Sequence, residues 1–247
     1  MRNTSDLTKL TAIFFVAKSA QYSLLLLSPS SPFDTSTQLL LSQLAPNSSS
    51  SSRLYNKLLS WDAAFFIKNM LHAPSPPQYE HEYAFSPLWS GLVSQLVSRL
   101  SPDPPPHNLH RLLLSALLLQ LALHYFSVIL LYFLTLQTFK QNILKFHRPH
   151  DLALKTAILF IFSSAAGFLT SIYSEPLSFA LAFLGIYARQ LSISYDLYAN
   201  LNCHWPRLPV YTLLSTACFS LASLNRSNCI LLGLYYLFDS FNLARSK

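Results

Sequence analysis

The run "LLLSALLLQLALHYFSVILLYFLTLQTF", Leu112–Phe139, contains no Asp, Glu, Lys or Arg. A hydrocarbon core takes about 20 residues of helix, so this run supplies one long tilted span and is too short for two. Ahead of it stands "SPDPPPH", Ser101–His107. That piece must be extended or turned, because proline lacks the N–H of a helix interior and clashes with the preceding turn. Behind it, Lys140–Lys155 carries Lys140, Lys145, Arg148 and Lys155 against Asp151. An excess of Lys and Arg marks the cytosolic ends of spans, so this loop is expected to face the cytosol.

The rest of the chain agrees with a membrane protein. Hydrophobic residues make up 51% and charged residues only 11%, against roughly 25% charged in soluble domains. So little polar surface would leave a large apolar exterior in water. The net charge of +7 comes from 17 basic and 10 acidic residues. The basic residues are scattered singly, without a stripe of stacking aromatics, which excludes a nucleic-acid reading. Cys203, Cys218 and Cys229 share no metal-ligand spacing and are expected to be small hydrophobes.

Leu10–Leu27 is a second apolar run, with Lys18 and Gln21 inside it. No clear small-residue cleavage pattern comes after it, so a signal anchor is favoured over a cleaved signal peptide. Three regions result: 1–27, a cytosolic tail and first span; 28–108, a luminal first loop with interfacial or re-entrant helices; and 109–247, a transmembrane bundle with the cytosolic loop 140–155. The two clear spans preserve the parity this requires, so Phe85–Leu100 is expected not to cross. Arg53–Met70 reads as one amphipathic helix in the interface plane. Thr156–Ala188, interrupted at Glu175-Pro176, and Pro209–Phe238, interrupted at Arg226, read as two pairs of broken or tilted helices. Of three glycosylation sequons, at Asn3, Asn47 and Asn225, only Asn47 is expected to be both luminal and clear of the bilayer. The expected fold is all-α and polytopic.

Four polar sites stand out against this background: Asp34 in "PFDTS"; Asp62 behind Trp61; Glu80, His81 and Glu82 in "YEHEYAF"; and the pair Glu175 and Arg226. Ionisable groups at membrane depth are costly and tend to be paired or functional, so Glu175 and Arg226 are expected to satisfy each other. An arginine also suits a phosphate, because its planar fork donates two bonds at once. Trp61 reads either as an interface anchor or as a sugar platform beside a carboxylate. Glu80 and Glu82 face one way only on a strand, with His81 turned away, so no metal site is read here. With Gly at 4 in the whole chain, a glycine-rich nucleotide loop is excluded.

"FDTS", "WDAAFF", "YEHEYAFSP", "AAGFLTSIYSEPLSFALAFLG" and "NRSNCILLG", in that order, resemble the GPI mannosyltransferase 2 (PIG-V type) family. The resemblance covers nearly all of this chain but roughly the N-terminal half of the family's. It implies a partial GT-C-type glycosyltransferase bundle in the endoplasmic-reticulum membrane. The implied reaction transfers the second mannose, in α-1,6 linkage, from dolichyl-phosphate mannose to the GPI precursor lipid. It further implies an inverting mechanism with an acid in the first luminal loop: Asp62 first, Asp34 as the alternative. Sugar or acceptor contacts fall to Glu80, His81 and Glu82, with Trp61 beside them. Glu175 matches the acid of a "YSE" motif, and Arg226 and Asn228 match an "RSN" motif, with Arg226 set toward the dolichyl phosphate. In this chain Cys229 stands where the family carries glycine. A small membrane accessory subunit is an implied partner, and no cofactor or divalent ion is demanded. A truncated inactive relative and a non-catalytic membrane assembly protein remain as alternative readings.

Overall fold

A computed structural model describes residues 2–29, 53–73, 79–85, 87–100, 109–140, 148–192 and 208–245. Among the described residues every regular element is helical. Two of the described helices are long and apolar enough to cross a membrane, Thr4–Leu27 and Leu109–Phe139. The first lies in α1 (Arg2–Leu27) and the second in α5 (Leu109–Lys140). At 32 residues, α5 is about 48 Å long, well beyond a hydrocarbon core of about 30 Å.

These two helices run antiparallel. Near the start of α1, buried Asp6 accepts from the Tyr132 hydroxyl at 3.1 Å, and Thr11 meets Tyr125 at 2.7 Å. At the far end of α1, Lys57 of α2 (Arg53–Leu58) donates to the carbonyls of Leu25, at 2.6 Å, and Ser28. These are among the carbonyls that a helix C-terminus leaves unpaired. Helix α6 (Pro149–Ile161) packs Ala153, Ala157 and Ile161 against Leu10, Phe14, Val128 and Tyr132. His150 of α6 joins the same end, 3.3 Å from the Tyr132 hydroxyl. One end of the bundle therefore gathers Asp6, Tyr132 and His150; the opposite end gathers Leu27 and α2.

That opposite end carries a second apolar core. Helix α3 (Ala63–His72) and helix α4 (Pro87–Leu100) contribute Phe66, Ile67, Met70, Trp89, Val93 and Val97. Leu112, Leu113 and Ala116 of α5 close it together with Ile172, Tyr173 and Leu177. At 14 residues, α4 is about 21 Å long, shorter than the hydrocarbon core.

Two expectations about continuity need correction. Arg53–Met70 is not one helix: α2 stops at Leu58, and Trp61 sits at φ 62°, in the left-handed region, before α3 begins. The carbonyls that would continue the helix are taken by other groups. Ser171 Oγ donates to Leu58 O, and the Tyr173 hydroxyl donates to Ser60 O at 3.1 Å. Nor do Glu175 and Pro176 interrupt a helix. They open one, α7 (Glu175–Ser192), because proline in the first turn sacrifices only an N–H that has no partner there. The break falls earlier, over Phe162–Ser174, where turns such as Ser171 N to Gly167 O at 3.0 Å replace the helical ladder.

Helix α8 (Leu208–Asn225) packs closely on α7. Gly185 makes that approach possible, since a Cβ there would lie 2.6 Å from Phe219 Cε1 and 3.1 Å from Cys218 Cβ. A 3-10 segment, Ser227–Gly233, then leads into α9 (Leu234–Arg245). Asp239 of α9 receives a two-pronged bond from Arg189 of α7, whose guanidinium also lies 4.8 Å from the Tyr235 ring centroid.

Candidate functional site

The site is built around the junctions at the α2 end of the bundle. Arg226 lies between α8 and the 3-10 segment with extended backbone, φ −145°. Its Nη1 donates to Glu175 Oε1 at 2.7 Å and lies 3.5 Å from Ser174 Oγ. The pair expected from sequence is thus made, one member from each broken region. Asn225 holds the junction from inside. It is buried, and its Nδ2 donates to Ser174 O at 2.9 Å and Ser178 Oγ at 2.7 Å. That burial leaves its sequon no room for a glycan.

Glu175 and Arg226 line a cavity of about 330 Å³ together with Ser178, Phe179, Ala182, Asn228, Cys229, Leu231 and Leu232. The lining is mostly apolar but includes the Glu175–Arg226 pair and Asn228, so the cavity suits a ligand with a charged head and an apolar tail.

Asp62 comes from the other junction. It stands exposed as the N-cap of α3, with no side-chain capping bond. Trp61 beside it is 76% exposed. Tyr173 lies between this acid and Ser174-Glu175, the residues that touch the arginine. Its ring is buried between Phe66 and Phe168, with centroids 5.8 and 5.1 Å away, and its oxygen faces the backbone N–H groups of Asp62 and Ala63. Burial first, then the charges of Asp62 and Glu175, push the Tyr173 phenol up to about 12. Glu175 is also held above the ordinary carboxylate range: burial raises it, Arg226 opposes, and Asp62 adds to the rise. Asp62, Tyr173, Glu175 and Arg226 therefore form one electrostatic cluster.

The remaining sequence candidates divide. Glu82 is 1% exposed and turned inward. One oxygen bonds Lys68 of α3, and the other accepts from Tyr79 N at 3.2 Å. It ties the 3-10 turn Glu80–Ala84 to α3 and does not face the cavity. Glu80 is exposed on that turn. His81 lies in the turn's backbone, and Asp34 lies outside the described residues. Among the described residues no three His, Cys, Asp or Glu side chains gather closely enough to share a metal ion.

Sequence reading missed Tyr173, Ser174 and Asn225 as site residues. Tyr173 stands in an apolar run where core packing is the default assignment, and Asn225 read only as a sequon. The one available signal was polar residues adjacent to Glu175 and Arg226.

The family profile described as mannosyltransferase (PIG-V) matches residues 7–247. The chain belongs to that family. It is similar to GPI mannosyltransferase 2 of Saccharomyces cerevisiae, 46% identical over 243 residues, covering 96% of this chain and 55% of the relative. The Candida glabrata GPI mannosyltransferase 2 is 42% identical over 247 residues, 98% of this chain and 55% of its own length. That of Eremothecium gossypii is 44% identical over 250 residues, 97% of this chain and 56% of its own. The chain thus spans about half the length of the curated relatives it matches. No solved structure matches it.

Proposed function

We propose that this chain carries the reacting groups of a multi-pass GT-C-type mannosyltransferase of the endoplasmic-reticulum membrane. In this reading it transfers the second mannose, α-1,6, from dolichyl-phosphate mannose to the GPI precursor at the luminal face. The observation that carries the reading is the Glu175–Arg226 ion pair in the lining of a largely apolar cavity, with Glu175 in electrostatic reach of the exposed, uncapped Asp62.

In this reading each residue takes one role. A hydroxyl of the acceptor attacks C1 of the donor mannose and gives its proton to Asp62 as general base. The C1–O bond to phosphate breaks, and dolichyl phosphate leaves with the electron pair. Arg226 and Asn228 face the negative charge that grows on that phosphate. The apolar wall of Phe179, Leu231 and Leu232 takes the first isoprene units. Glu175 holds the guanidinium before the donor arrives, and Trp61 offers an aromatic face to a sugar. Nothing in the step calls for a nucleotide or a divalent ion. A small accessory membrane subunit is a proposed partner.

The test is mannose transfer from dolichyl-phosphate mannose in reconstituted vesicles, with Arg226→Lys beside the parent chain. Lysine keeps the charge and loses the fork, so the donor KM is expected to rise about tenfold, the loss of one charge-assisted bond. A lysine variant with parental KM would overturn the assignment of the phosphate to Arg226.

A further inference from the structure

Among the described residues no bond holds the exposed carboxylate of Asp62: it caps no backbone N–H, and it follows a residue in an unfavourable conformation. Trp61, at φ 62°, is the one non-glycine residue with positive φ among the described residues. A bulky residue there is strained and persists only where its surroundings over-determine it. The restraint comes from the irregular segment that ends at Glu175. Its Ser171 holds Leu58 O and its Tyr173 holds Ser60 O, the two carbonyls on the α2 side of the turn. From below, Lys18 donates to Leu169 O at 2.6 Å and to Thr170 Oγ1 at 3.1 Å, and Tyr22 donates to Thr170 O at 3.1 Å, so the segment is itself fixed. Ser174 and Glu175, the next residues, touch Arg226.

We propose that Tyr173 is a positioning residue for the transfer reaction: its hydroxyl, bonded to Ser60 O, fixes the strained Trp61 turn and so sets the Asp62 carboxylate relative to the Arg226 cavity. The proposal rests on the reading of Asp62 as the base. Tyr173 does not touch the reacting atoms. Its ring is already held by Phe66 and Phe168, so the hydroxyl is free to serve the turn alone. Through the segment 171–175 the base and the phosphate-facing arginine share a common support. A shift of about 1 Å in a catalytic group costs on the order of a hundredfold in rate, which is the scale at stake.

The experiment compares Tyr173→Phe with the parent and with Tyr55→Phe, a buried tyrosine of the same core whose hydroxyl meets His110 at 3.4 Å, away from the turn. Two readouts are taken on the full chain, alone and joined to the part of the Saccharomyces cerevisiae relative beyond the matched region. Hydrogen exchange needs no activity. In Tyr173→Phe the amides of residues 59–65 are expected to exchange about three- to tenfold faster, the loss of one ordinary hydrogen bond, and in Tyr55→Phe to stay at parental rates. Transfer kinetics should show kcat down about ten- to a hundredfold in Tyr173→Phe, with donor KM within about twofold, because the cavity is untouched. Unchanged exchange at 59–65 overturns the proposal. So does a parental kcat in Tyr173→Phe where Asp62→Asn abolishes transfer; the base reading then survives alone. An Asp62→Asn chain that transfers mannose normally removes the base reading and the positioning role with it. A joint rise in KM and fall in kcat, with a lowered melting temperature, would make Tyr173 a packing residue only.

Discussion

Replacing Glu175 by glutamine should leave the protein as stable as before, or more stable, although it breaks the ion pair with Arg226. The carboxylate is 16% exposed, and its Oε2 is buried with no hydrogen-bond partner among the described residues. An unsatisfied buried acceptor costs about 1–3 kcal/mol. Against this stands the pair with Arg226, whose side chain is 38% exposed; an ion pair open to solvent on one side contributes about 1 kcal/mol or less. Burial prevails over Arg226 and holds Glu175 above the usual carboxylate range. The folded state therefore binds the proton more tightly than the unfolded chain. Glu175 contributes stability below its unfolded pKa, and that contribution is lost as pH rises through the folded value. At neutral pH the charge is a liability, and the neutral amide of the same shape removes it. The expected gain is zero to about 2 kcal/mol, or up to about 8 °C in Tm for a chain of this size. Thermal unfolding in nanodiscs at neutral pH, repeated as pH falls toward about 4, where an ordinary glutamate takes up its proton, is the assay. The difference between Glu175→Gln and parent should narrow on acidification. A variant that unfolds several degrees lower at neutral pH would refute the reasoning. Lost transfer in a chain of undiminished stability would mean that the pair is kept for chemistry and not for folding.

Gly185→Ala places a methyl where Phe219 and Cys218 already stand and should cost about 1–3 kcal/mol by forcing α7 from α8; the melting temperature checks it. Glu82→Ala removes both the Lys68 bond and the Tyr79 N bond. It should cost about 2–3 kcal/mol and make the 79–85 turn sensitive to protease, because a charge-assisted pair held that turn to α3. Gln120→Met should be neutral or stabilising by up to about 2 kcal/mol, since this fully buried amide makes no hydrogen bond among the described residues and an apolar group of similar shape carries no desolvation cost; a clear drop in melting temperature would contradict it.

The sequence was most legible where a single physical term dominates. The charge-free run at Leu112–Phe139 left little choice but a long helix, and α5 is that helix. Glu175 and Arg226 were legible as a pair because isolated charges in apolar segments must find partners. Arg53–Met70 was misread because its periodicity is good across the break. Nothing local predicts that Ser171 and Tyr173, more than a hundred positions later, withdraw the carbonyls of Leu58 and Ser60. Pro176 was read as a breaker when it is a starter, since the two uses differ only in where the preceding turn ends. Glu82 and Glu80, two positions apart, were indistinguishable on paper. Which one turns inward is decided by Lys68 and Tyr79 N, and that is a tertiary fact.

The most direct test of the central claim is the mannose count on GPI precursors in yeast cells depleted of their own second GPI mannosyltransferase. The cells would carry this chain joined to the relative's remaining half, with and without Asp62→Asn. The account predicts a precursor bearing the second mannose with the parent chain and a one-mannose precursor accumulating with Asp62→Asn, both chains being equally abundant. A second mannose added at the parental rate by Asp62→Asn would contradict it.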